Sequence, residues 1–121
     1  MEQANEPPID VRRLRESLTD LGNPAVFREL LEVFLHDTPE RMATLRRAAD
    51  TGDARAIRHV AHTLKGTSGY IGAHRLVRIC KELEASAQGA DLAGALPLVT
   101  QVEAEYRRVH VALEQELKDT P

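Results

Sequence analysis

From Ile9 to Leu117 the apolar residues of this chain return every three or four positions, and no stretch alternates with the period of two that a half-buried strand needs. The spacing predicts helices throughout. Ile9, Val11, Leu14 and Leu18 give one apolar edge to a short helix over 9–21, ended by Gly22. Asn23–Pro24 reads as a helix start, a capping side chain followed by proline at the first helical position. The next helix carries Val26, Phe27, Leu30, Leu31 and Phe34, then Met42 and Leu45. Pro39 either splits this segment or kinks it. Because the apolar spacing resumes beyond the proline, one kinked helix over 24–50 is the preferred reading. Gly52 and Asp53 are the C-cap and N-cap candidates for the junction with the third helix.

The stretch 55–72 is predicted to hold the third helix and the small-residue bend that ends it, with Gly69 and Gly72 marking the turn. A fourth covers 73–88, with Leu76, Ile79, Cys80, Leu83 and Ala87 in register, and Gly89 ends it. The last bears Leu92, Leu96, Val99, Val102, Tyr106, Val109, Leu113 and Leu117; Asp91 can cap it, but Pro97 leaves its start open between Asp91 and Leu96. Four long amphipathic helices with short links must bury their stripes on one another. The predicted fold is all-α: an antiparallel four-helix bundle with a short extra N-terminal helix, one domain over 9–118. Residues 1–8 are polar, contain Pro7 and Pro8, and are expected to be loosely attached.

Composition narrows the function classes. With 121 residues, one core can form without disulfides or metal. The lone cysteine, Cys80, rules out an intrachain disulfide and falls in an apolar stripe, where it reads as a small core residue. A net charge of −3 gives no general pull towards nucleic acid or anionic membrane, and with two Phe, two Tyr and no Trp there is no platform for stacking bases. No apolar run approaches a membrane span, and the N-terminus lacks the basic and apolar regions of a signal peptide, so a cytoplasmic location is expected. No P-loop or glycine-rich ATP cradle is present, so autophosphorylation from ATP is not expected.

The chemistry concentrates on the third helix. With Ile57 at zero on a helical wheel, Val60, Ala61 and Leu64 fall within about 60° of it and form the apolar stripe. His62 lies at about 140°, outside the stripe, and is predicted to face solvent. Arg55, Arg58, Lys65, Gly66 and Gly69 share its face. Lys65 and Gly66 are its i+3 and i+4 neighbours. Gly66 costs the helix up to about 1 kcal/mol against alanine and leaves bare backbone beside the ring. Lys65 and Arg58 place positive charge where an anion on the ring would sit. An exposed imidazole ringed by cations, with unhindered access, is the pattern of a phosphoryl acceptor.

The run H-T-L-K-G-T-S-G-Y-I-G, His62 to Gly72, resembles the signature of histidine-phosphotransfer (HPt) domains of bacterial phosphorelays. The match falls on His62, Leu64, Lys65, Gly66, Ser68 and Gly72, and the similarity extends over about 23–117. The resemblance implies that His62 accepts a phosphoryl group from a receiver-domain phosphoaspartate and passes it to another receiver. It implies receiver domains of response regulators and a hybrid sensor kinase as partners, no cofactor of the chain's own, and Mg2+ on the receiver. Nucleic acid and membrane are not expected partners, and a monomer is favoured because the helices can close their own core. Arg55, Arg58, Gly66, Ser68 and Gly69 are candidate phosphate- or partner-facing residues, although Ser68 and Gly69 equally suit the bend. The family often places a Gln or Glu 22 residues after the histidine, against its Nδ1; that position here is Glu84. Simple hairpin geometry instead sets His62 opposite residues nearer Cys80 and leaves Lys81 open. Two other function classes compete: a metal-binding bundle built on His59, His62 and Glu84, and an adaptor that binds partners without being phosphorylated.

Overall fold

The computed structural model describes residues 6–19 and 24–119, and these form five helices: α1 Val11–Thr19, α2 Pro24–Thr51, α3 Ala54–Tyr70, α4 His74–Gln88 and α5 Leu92–Asp119. The expected ends at Leu21 and Gly22, the Asn23 cap and the first five residues lie outside the described residues. Each of the long helices α2 to α5 packs on two neighbours, α2 on α3, α3 on α4, α4 on α5 and α5 back on α2; α1 lies against α2. This is the four-helix bundle with an added N-terminal helix that the periodicity implies. Its centre is aliphatic: Leu31, Leu45, Ile57, Leu64, Leu76, Leu83, Val99, Val102, Val109 and Leu113 are fully buried. Each such side chain contributes about 1.5–3 kcal/mol by leaving water.

The boundaries follow local chemistry. Asp53 caps α3, its carboxylate accepting from the Ala56 N–H at 3.1 Å. Asp91 caps α5 through the Gly94 N–H at 2.9 Å, which fixes the start of that helix at Leu92 although Pro97 lies inside it. Pro39 is likewise contained, and α2 runs as one helix from Pro24 to Thr51. A proline in a helix forfeits one backbone hydrogen bond. Here the apolar residues on both sides of it, Phe34 and Met42, are buried in the same core and hold the helix together.

Three expectations need correction. Leu96 is exposed, and Ala95 takes the buried place beside Val99. The stripe of α5 runs through Ala95, Val99, Val102, Val109 and Leu113, and Leu96 falls about 100° from its centre. Ile9 precedes α1 rather than belonging to it, yet it is buried. The chain from Glu6 to Asp10 is not loose. The Glu6 carboxylate accepts from Arg78 at 2.6 Å, the Glu6 carbonyl accepts from Arg108 at 2.8 Å, and the Asp10 N–H donates to the Gly72 carbonyl at 2.9 Å.

Gly72 explains that last contact. Its φ is +74°, and a Cβ there would come within 3.3 Å of the Asp10 carbonyl oxygen. Only a residue without a side chain both turns the α3–α4 hairpin and lets the N-terminal segment lie across it. Behind this segment the 3%-exposed Glu105 accepts from Arg108 at 2.7 Å and forms an ion pair with Arg75 at 3.3 Å, a buried charge that periodicity alone does not reveal. Cys80 is buried as expected, and that burial pushes its thiol up to about 12.

Candidate functional site

α3 and α4 form the most extensive helix pair in the molecule, and the site sits on its outer face. Ile57, Val60, Ala61 and Leu64 turn α3 inwards, which leaves His62 pointing out. Its side chain is 68% exposed. The ring is not idle: Nδ1 lies 2.7 Å from Oε2 of Glu84 on α4. The other oxygen of the same carboxylate accepts from Lys65 Nζ, also at 2.7 Å. Glu84 thus bridges two residues one turn apart on α3. The Lys65 ammonium, then the His62 contact, hold its carboxyl below the usual value of 4.5, against the opposing effect of partial burial.

The bridge settles which residue of α4 meets His62. Side chains on a helix lean towards its N-terminus. The imidazole therefore reaches a turn away from the hairpin bend, and its partner stands a turn beyond Cys80. That residue is Glu84. Lys81 is exposed and is not the partner.

A carboxylate can only accept, so the neutral ring facing it carries its proton on Nδ1. Nε2 is then the nitrogen with a free lone pair. Around the ring lies a shallow depression of about 330 Å³, lined by Arg55, Arg58, His59, His62 and Glu84. Gly66 and Gly69 are exposed, and a Cβ added at either would meet nothing within 4 Å. The approach along this face is open.

Two sequence-based assignments change. Ser68 is fully buried, so it does not face phosphate or a partner; six residues beyond His62, it returns to the apolar side of α3. Its carbonyl accepts from the Ala73 N–H at 3.0 Å within the hairpin. Lys65 faces Glu84 and not open solvent alone, while the cations around the depression are Arg55 and Arg58. His59, read from the sequence only as a possible metal partner, lines the depression one turn before His62. Its i−3 spacing was the available signal. Among the described residues no three of His, Cys, Asp and Glu gather as a metal-binding group, so the metal-bundle reading has no support. None of the described helices is long and apolar enough to cross a membrane.

The fold is thus a helical bundle with one histidine oriented by a carboxylate on an open, cationic face. The Hpt domain model matches residues 29–117, and the chain belongs to that family. Among solved structures, histidine-containing phosphotransfer protein B from Pseudomonas aeruginosa PAO1 is 38% identical, with a TM-score of 0.85 over 95% of this chain and 98% of that one. The HPT domain of a sensor hybrid histidine kinase from Shewanella shares the fold at a TM-score of 0.82 and 20% identity, over 93% of this chain and 95% of that one. Histidine-containing phosphotransfer protein 2 of Arabidopsis thaliana is 29% identical over 102 residues, 82% of this chain. The chain spans about 65% of the length of that relative.

Proposed function

We propose that this chain is a histidine phosphoryl carrier of a multistep phosphorelay, with His62 as acceptor. What carries the reading is an exposed imidazole whose Nδ1 is engaged by Glu84, set in an open depression that Arg55 and Arg58 also line. The Nε2 lone pair attacks phosphorus in a receiver's aspartyl phosphate. The bond between phosphorus and the carboxylate oxygen breaks, and that carboxylate leaves with the electron pair. The ring gains positive charge as the N–P bond forms, and the Nδ1–H held against Glu84 spreads it towards a carboxylate. The reverse sequence loads the next receiver. Positioning and electrostatics are most of what phosphoryl transfer asks of a protein, and this chain supplies both.

The partners are receiver domains of response regulators and a hybrid sensor kinase, with Mg2+ held by the receiver. The chain acts as a monomeric carrier in the cytoplasm, without an ATP site or kinase activity of its own. The cationic rim of α3 favours approach by an acidic receiver face. The test is transfer of label from a phosphorylated receiver of the same organism. Acid-labile, base-stable label on the wild type and none on His62→Gln is the expected result. Label that persists in His62→Gln would refute it. Signalling that survives His62→Ala would instead favour the unphosphorylated adaptor.

A further inference from the structure

The His62 Nδ1 faces Glu84, which also accepts from Lys65. The depression that His62 and Glu84 line is shared by Arg55, Arg58 and His59, which are i−7, i−4 and i−3 from His62. Those are the positions on the same helix face and N-terminal to it, the direction in which a helical side chain leans. None of the three makes a hydrogen bond or ion pair with any described residue, in a chain whose other arginines mostly engage carboxylates. Three donors, exposed and unengaged, thus line the same depression as the His62 ring.

Resting on the carrier reading above, we propose that His59 is a further catalytic residue of the transfer: its imidazole, beside Arg58 and Arg55, donates to the oxygens of the phosphoryl group carried on His62. No bond is made or broken at His59. It donates an N–H in both the neutral and the protonated form, so its part does not depend on one charge state. Lys65 acts differently, by holding the carboxylate that engages Nδ1. His59 also borders a groove of about 420 Å³ between α2 and α3, with His36, Asp37, Glu40 and Arg41 along it. Asp37 there faces His36 at 2.9 Å, and His59 has no bond to either acid. Its ring is free to turn to a phosphoryl oxygen.

The experiment compares wild type, His59→Ala, His59→Asn and His62→Gln. Each is incubated with a phosphorylated receiver and, separately, with phosphoramidate and no partner; His62→Gln is the control expected to take no label. The equilibrium with the phosphoreceiver, the lifetime of the isolated phosphoprotein and the 31P shift of its phosphoryl group during a pH titration are read. Loss of one exposed charge-assisted donor shifts the equilibrium about threefold to tenfold towards the receiver in His59→Ala. The 31P titration moves with it, and His59→Asn, which keeps an N–H donor, recovers part of both. A labelled His59→Ala protein with wild-type equilibrium and wild-type 31P titration overturns the proposal alone. So does a change confined to transfer from the receiver, because that marks a docking residue. A wild type that takes no label at His62 overturns the carrier reading and this one with it.

Discussion

Replacing Glu84 by alanine removes one carboxylate and two contacts, and the structure gives the size of each consequence. The bonds to His62 Nδ1 and Lys65 Nζ are both 2.7 Å long. Glu84 is only 16% exposed, but His62 and Lys65 are 68% and 33% exposed, so water screens both interactions. Each is therefore worth about 1 kcal/mol and not the larger value of a buried charged bond. Glu84→Ala should lower stability at pH 7 by roughly 1–2 kcal/mol, a fall of about 3–8 °C in Tm for a domain of this size. The same 1 kcal/mol on the ring corresponds to a bias of about fivefold between the two neutral tautomers. Long-range 1H–15N correlation of labelled histidine should show His62 moving towards the Nε2–H form, which withdraws the nucleophile. Transfer should slow in proportion.

The pH dependence has a definite sign. Glu84 is held below 4.5 in the folded chain, so its contribution is fully present above that pH and is lost as pH falls through the depressed value. The stability gap between wild type and Glu84→Ala should therefore close on acidification below about pH 4.5. Glu84→Gln separates the two roles. An amide that turns its oxygen to Nδ1–H turns its NH2 to the Lys65 ammonium, so the tautomer is retained while the lysine contact is lost. Identical tautomer ratios and identical melts in wild type and Glu84→Ala would show that the bridge does not orient the ring.

Other outcomes turn on single residues. Gly66→Ala meets nothing within 4 Å and should raise stability by up to about 1 kcal/mol in a denaturant melt, yet slow transfer from a receiver because the methyl group narrows the approach to His62. A variant that is both stabilised and fully active would show that the bare backbone serves no access role. Gly72→Ala, at φ +74° and against the Asp10 backbone, should cost about 1–3 kcal/mol and release the N-terminal segment, seen as faster exchange of the Asp10 amide. Glu105→Gln leaves Arg75 and Arg108 without their shared charge and should cost about 2 kcal/mol by the same melt; an unchanged midpoint would show that these arginines are satisfied by water.

The helices of this chain were legible because their stripes repeat at 3.6 residues and their ends carry local signals. Asp53 caps α3 and Asp91 caps α5 through the N–H groups three residues on, a contact that needs no other part of the molecule. The outward turn of His62, with Arg55, Arg58 and Gly66 beside it, was equally local, since one helix fixes its own faces. Contacts between helices were not. That Glu84, and not Lys81, meets the ring depends on how two side chains lean across the α3–α4 pair. The engagement of Lys65, the burial of Ser68 and Glu105, and the anchoring of Glu6 and Asp10 depend likewise on neighbours distant in sequence. Periodicity places a residue on a face, whereas only the packed bundle decides what stands opposite that face.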